Sequence, residues 1–188
     1  MLFAQFPDRL GLKSGIVSAI QDFKTDRNVE NLDIQPRIGW ALSLYAEWHA
    51  AQRDRLVIEL QLIQKGMIDH TIKQGEEELI SNLVYYLSLP VFVGTTRDAG
   101  FLHFYWLVGP RVDILIKYQT PYQSFYREFS RVGLGGELAA GLEIELPHNR
   151  YVTLELRKGY DFTSAYRAGS YSVKNEYHGL VMGLGIEF

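Results

Sequence analysis

Large apolar residues recur at every second position along most of the chain, and this periodicity constrains the fold more than any other feature. In RIGWALSLYAEWH, residues 37–49, one face of an extended segment carries Ile38, Trp40, Leu42, Leu44, Ala46 and Trp48. The other face carries Arg37, Gly39, Ala41, Ser43, Tyr45 and Glu47. RLVIELQLIQK repeats the pattern, with Leu56, Ile58, Leu60 and Leu62 set against Glu59, Gln61 and Lys65. A repeat of two marks a β-strand, because successive side chains of extended backbone point to opposite faces. The i, i+3, i+4 spacing of an amphipathic helix is nowhere sustained, so the chain reads as all-β.

The same test places eight strands at about 10–20, 34–49, 55–66, 80–94, 101–117, 132–146, 151–160 and 177–188. The connections near 50–54, 95–100 and 147–150 are short and turn-like (AQRD, TRDAG, PHNR). Those near 21–33, 67–79, 118–131 and 161–176 are longer and polar or aromatic. Alternating long and short connections describe an antiparallel up-and-down meander with its tight turns at one end. Eight such strands normally close into a barrel, which removes the exposed edges. Residues 1–188 are read as this single domain.

Alternation alone does not say which face is inside. The polar face carries Gly11, Gly15, Gly39, Gly109, Gly133, Gly135, Gly141, Gly159, Gly179, Gly183 and Gly185 among its charges. Glycine weakens a solvent-exposed strand but suits a narrow interior with little room for side chains. Trp40, Trp48, Tyr85, Phe104 and Trp106 on the apolar face are too bulky for the inside of eight strands. The expectation is a transmembrane barrel with these aromatics against lipid, short periplasmic turns and longer extracellular loops. The alternative is a soluble, lipocalin-like barrel carrying an apolar ligand in its interior.

Composition narrows the classes further. Nineteen Lys and Arg against 22 Asp and Glu, spread along the chain, form no basic stripe, so no nucleic-acid partner is expected. The absence of cysteine removes disulfide scaffolds, thiolate metal sites and cysteine nucleophiles. The longest uncharged run, Leu79–Thr96, is interrupted by Asn82, Ser88 and Pro90 and does not read as a membrane helix. The opening MLFAQFPDRL lacks a basic segment followed by a long apolar run, so any export signal is expected to have been removed.

Inward-facing charge is expected at Lys13, Arg37, Glu59, Lys65, Arg111, Asp113, Glu137, Glu143, Glu155 and Arg157. Both signs occur in similar numbers, and an unpaired buried charge is very costly, so these residues are read as an ion-pair network plugging the barrel. A polar path for a small solute is the competing reading. Glu143 and Glu155 flank one tight turn and could face each other as an acid/base pair, but Arg111 and Arg157 are available to neutralise them.

No catalytic, metal or cofactor site is expected. His49, His70, His103, His148 and His178 show neither HxH nor HExxH spacing. Ser170, Ser172 and His178 near one rim give a minor alternative, a lipid A-modifying enzyme, at a spacing that matches no catalytic motif. GLGGEL fails as a nucleotide loop, because Leu138 stands where the third glycine belongs and no helix follows. The segments 117–132 and 160–177 mix aromatics with cations, and either bind a protein or glycan partner or cover the barrel mouth.

GLKSGI, ELQLIQKG, NLVYYLSLPVFVG, WLVGPRVDIL, GLGGELAAGLEIELP, VTLELRKGY and GLGIEF follow one another in this order over nearly the whole chain. In this set the chain resembles the PorT-like outer-membrane β-barrel family of Gram-negative bacteria. The resemblance implies an eight-stranded barrel in the cell outer membrane, surrounded by outer-membrane lipid, with both termini in the periplasm. It also implies that Leu184, Ile186 and Phe188 belong to a C-terminal signal read by the barrel-assembly machinery.

Overall fold

The computed structural model describes residues 6–24, 33–51, 53–73, 76–119, 129–168 and 171–188. They form nine antiparallel strands and no helix: β1 Arg9–Lys24, β2 Asp33–Ala51, β3 Asp54–Lys73, β4 Glu76–Ala99, β5 Leu102–Gln119, β6 Val132–Leu146, β7 Arg150–Asp161, β8 Tyr166–Ala168 and β9 Tyr171–Glu187. Neighbours in sequence pair in turn, and β1 also pairs with β9, so the sheet closes on itself. The short β8 adds no stave. It continues the edge that β7 leaves, since β9 pairs with β7 as far as Tyr160↔Glu176 and with β8 from Tyr166↔Val173. The result is a closed eight-stranded antiparallel barrel.

Closure runs through the first and last strands in a register that sets Gly11 opposite Gly185, Lys13 opposite Gly183 and Ile16 opposite Leu180. At one rim Phe188 donates its backbone N–H to Asp8 O at 3.0 Å, and its ring meets Phe6 edge-on at 5.8 Å. The short turns share this rim. A closed barrel leaves no row of unpaired N–H and C=O groups, which is the requirement for a β-protein in hydrocarbon.

The alternation is the wall's two-sidedness. On β7, Tyr151, Thr153, Glu155, Arg157 and Gly159 are buried, while Leu154, Leu156 and Lys158 are exposed. On β9, Tyr177, Val181, Gly183 and Gly185 are buried, and Leu180, Met182, Leu184 and Ile186 lie outside. The large apolar side chains therefore cover the outer wall instead of lining an internal pocket.

Several strands run past their expected ends, and these are corrections. The segment 67–79, expected as a loop, is an extension of the β3–β4 hairpin paired as far as Lys73↔Glu76. In the sequence Asp69, His70, Thr71 and Lys73 break up the apolar alternation, so the periodicity that marks strands is lost while backbone pairing continues. Likewise β4 continues through Thr95–Ala99, and the turn is the pair Gly100–Phe101, with Gly100 at φ 72°. Glycine takes this left-handed conformation without a Cβ clash. The connection 161–176 contains β8 and the first turn-proximal residues of β9. The 21–33 connection is shorter than expected, because β1 runs to Lys24 and β2 starts at Asp33.

Three irregularities interrupt the register, one of them at the short-turn end of β2 between His49↔Arg55 and Ala51↔Asp54. Between Pro36↔Met67 and Ala41↔Ile63, β2 holds one residue more than β3. Between Tyr85↔Lys117 and Tyr86↔Leu115, β5 carries the extra residue Ile116. Such bulges increase local twist and coil, which helps a sheet of few strands to close.

Candidate functional site

The barrel interior is the most unusual environment in the molecule, because it buries six cations and seven carboxylates. They are Arg9, Lys13, Arg55, Lys65, Arg111 and Arg157, with Glu47, Glu59, Asp113, Glu137, Glu143, Glu155 and Asp161. The two sets match to within one charge, so partners are available for nearly every group.

Nearest the short-turn rim, Glu143 receives both guanidiniums. Arg55 donates Nη1 to its Oε2 at 2.9 Å and Nη2 to its Oε1 at 3.0 Å, and Arg9 donates Nη1 to Oε1 at 2.9 Å. Arg9 also reaches Glu187 through Nε at 2.9 Å, and Arg55 Nε donates to Thr96 Oγ1 at 2.6 Å. Glu47 lies 3.7 Å from Arg9, 3.4 Å from Arg55 and 3.0 Å from His49.

The central layer is built on Glu59 and Glu155. Lys13 Nζ stands 2.6 Å from Glu59 Oε1 and 2.7 Å from Glu155 Oε1. Arg157 clamps Glu59 with two parallel bonds of 2.8 Å, donates Nε to Glu155 at 2.6 Å and reaches Glu137 at 3.3 Å. Bidentate guanidinium–carboxylate pairs are the strongest such contacts and fix orientation as well as charge.

Further along, Asp113 accepts from Lys65 Nζ at 2.7 Å, from Arg111 Nε at 3.0 Å and from the Ser88 hydroxyl. Arg111 Nη2 donates to Asp161 Oδ1 at 2.6 Å, and Asn175 Nδ2 donates to the other Asp161 oxygen at 2.7 Å. Toward the long-connection rim Ala19, Ile63, Val84, Phe129, Ala165 and Val173 pack into an apolar cluster with Tyr177. Phe129 stacks on Tyr166 at 5.9 Å.

Between the charged layers stand tyrosines, in the space opened by inward-facing glycines. Tyr45 and Tyr151 meet through their hydroxyls at 2.8 Å beside Gly11 and Gly185, and Tyr105 donates to Glu155 at 2.6 Å over Gly141. The same rings carry cations on their faces: Arg9 at 4.5 Å from the Tyr151 centroid, Lys13 at 4.4 Å from Tyr45 and Arg55 at 4.6 Å from Tyr105. The room that the glycines provide is thus taken up largely by aromatic rings.

Of the sequence-derived set, nine residues sit in this network: Lys13, Glu59, Lys65, Arg111, Asp113, Glu137, Glu143, Glu155 and Arg157. Arg37 lies apart at the β2 bulge, half-buried, and its Nε has no hydrogen-bond partner among the described residues. Arg9, Glu47, Arg55 and Asp161 are members that sequence reasoning missed. Each keeps the phase of its strand's inward row, two or four residues from a recognised member or from Tyr45; Glu47 and Arg55 lie within the strands read from the sequence, while Arg9 and Asp161 lie one residue beyond them.

Glu143 and Glu155 do not form an acid/base pair. They occupy different layers, and each is held by its own cations, Glu143 by Arg9 and Arg55, and Glu155 by Lys13 and Arg157. Of the minor enzymatic set, Ser170 lies outside the described residues. Ser172 and His178 stand six positions apart on β9, roughly 20 Å along a strand.

His49 contacts Glu47 and His103 contacts Asp98, both near the short-turn rim, and His148 sits in the turn before β7. Among the described residues no three His, Asp or Glu side chains are grouped to hold a metal ion. On the outer wall Trp40, Phe104 and Trp106 are exposed, Trp48 and Tyr85 are half-buried, and the Trp40 ring lies 6.5 Å from Tyr85. Residues 120–128 of the aromatic segment 117–132 lie outside the described residues.

No family model matches the chain, and no curated protein matches it. Solved structures do. The outer membrane protein OprG from Pseudomonas aeruginosa superposes with a TM-score of 0.56 at 10% identity, covering 98% of this chain and 97% of that one. Neisserial surface protein A superposes with a TM-score of 0.54 at 10% identity, covering 95% and 97%. At this identity the likeness is one of fold: the chain has the architecture of small outer-membrane β-barrels.

Proposed function

We propose that the protein is an integral outer-membrane β-barrel, without enzymatic activity, whose interior is plugged by its ion-pair network and whose long-connection rim supplies any binding surface. The observation that carries this reading is the inversion of the wall. Leucines, tryptophans and isoleucines cover the outside, and thirteen charged groups fill the inside. In water this arrangement would leave an apolar surface far larger than a soluble monomer tolerates; in a bilayer it is the favourable one.

The dense layering also supports a plug over a conducting path. Eight strands enclose only enough space for side chains, and here Arg157, Glu59, Tyr45, Tyr105, Tyr151 and Arg111 occupy it. The soluble carrier reading would need its apolar groups turned inward. Kinship with the PorT-like barrels belongs to the same proposal and rests on the ordered segments quoted above. In it β9, with Leu184 and Ile186 facing out and Phe188 directly following, is the strand recognised by the barrel-assembly machinery, and the aromatic, cationic segments around 117–132 and 160–177 meet a protein or glycan.

The purified protein should require detergent to remain dispersed and should change gel mobility on boiling, as closed barrels do. Stable monomeric behaviour in plain buffer would overturn the proposal.

A further inference from the structure

At Ala140 strand β6 turns a small residue to the outside where its neighbours turn large ones. Ala140 is paired with Trp106 of β5 on one side and Leu156 of β7 on the other. Two adjoining hollows of about 490 and 530 Å³ result, and they share Trp106, Ala140 and Leu156. Together they make a furrow down the outer wall, bounded by Leu138, Leu142 and Leu154.

The furrow ends in charge. Lys158 and His178 stand directly opposite each other on β7 and β9 and line its upper end, toward the long-connection rim. Below them β7 presents Leu156, Leu154 and Val152 outward, and β9 presents Leu180, Met182 and Leu184. Lys158 Nζ donates to Glu176 at 2.9 Å, and His178 Nε2 lies 3.6 Å from the same carboxylate. Glu176 is one outward position nearer the rim, so it pairs with Lys158 from above. An ammonium has three donors, and two remain for a ligand in the furrow. Lys174 follows one step further up, its Nζ 5.6 Å from the Tyr160 ring centroid.

We infer that this furrow binds one lipid with a net anionic phosphate headgroup from the leaflet at the long-connection rim. An acyl chain lies over Ala140 between Trp106 and Leu156, and phosphate oxygens accept hydrogen bonds from Lys158 and His178. The inference rests on the membrane reading above. Charge complementarity selects the headgroup, since the apolar part alone would take any chain. The wall contains its own comparison: a third hollow of about 460 Å³, lined by Leu12, Leu44 and Leu60, has no cation among its lining residues.

Trp106 reports on the furrow directly. In W40F/W48F protein reconstituted into phosphatidylcholine vesicles with a minor fraction of phosphatidylglycerol, one lipid at a time would carry brominated chains. Brominated phosphatidylglycerol should be enriched about fivefold at Trp106 over its bulk fraction, the factor equivalent to ~1 kcal/mol for a lysine at an anionic surface. K158Q/H178Q should abolish the enrichment without changing quenching by brominated phosphatidylcholine. High salt on protein with Lys158 and His178 intact should do the same by screening, a route that does not depend on the double variant's assembly. Equal quenching per lipid, or a preference that survives both the substitutions and salt, overturns the site and leaves the membrane reading intact. Trp106 quenched by neither lipid overturns both.

Discussion

Arg157 and Glu59, 98 residues apart in sequence, face each other across the barrel through two parallel hydrogen bonds of 2.8 Å. Arg157 stands on β7 and Glu59 on β3, so the pair joins strands that are not neighbours in the wall. Lys13 of β1 shares the same carboxylate, and Glu137 of β6 lies at 3.3 Å from Arg157. The interior is therefore a cross-brace as well as a filling.

Removing one arm of that brace is costly. R157M leaves Lys13 as the one cation contacting both Glu59 and Glu155, and breaking a buried pair typically costs ~3–5 kcal/mol. The urea midpoint of refolding into detergent or vesicles should fall accordingly. E59Q/R157M should lose less than the sum of the two single changes, because the second removes a charge that the first left unpaired.

Gly141 gives a test of glycine as space for a ring. A Cβ there would stand 2.6 Å from the Tyr105 hydroxyl oxygen and closer still to Cζ of the same residue, and its three nearest neighbours all belong to that side chain. G141A should destabilise the barrel by ~1–3 kcal/mol through overpacking. Y105L introduced with it should recover part of the loss, measured as a double-mutant cycle.

The outer wall should respond to charge only if lipid covers it. Leu156 is 66% exposed in the bare protein. L156R should cost ~2–4 kcal/mol in a bilayer, the range for a cation near the midplane of a transmembrane barrel. F101R, at the Gly100–Phe101 turn, should be close to neutral. Equal, negligible effects at both sites would contradict a membrane-embedded wall.

At the short-turn rim His103 Nδ1 lies 2.8 Å from Asp98 Oδ1, and this hydrogen bond holds the Asp98 carboxyl below its ordinary value. A lowered carboxylate pKa contributes stability that is fully present above the unfolded value and disappears as pH falls through the folded one. H103A should raise the Asp98 pKa toward that of a free aspartate, as read by carboxyl NMR titration. An unchanged value would show that the contact does not govern the group.

Much of this architecture was legible in the alternation. Which residues face in followed from the phase of each strand, as Lys13, Glu59 and Arg157 illustrate, because a period of two leaves no freedom once one face is known. The 67–79 hairpin extension was not legible, since polar residues such as Asp69, His70, Thr71 and Lys73 interrupt the period in the sequence while backbone pairing continues. Arg55 and Asp161 escaped because each sits at a strand end, where turn chemistry masks the phase.

The sequence by itself determined the class of fold, the inside-out wall and the stock of interior charge, all of which are local patterns written strand by strand. Tertiary structure alone decided the pairing. Closure through β1 and β9, with a particular register, brings Glu59 to Arg157, Glu143 to Arg9 and Arg55, and Tyr45 to Tyr151. Those contacts join residues on strands that need not be neighbours, and their distances depend on the curvature and stagger of the whole ring. No short segment contains that information.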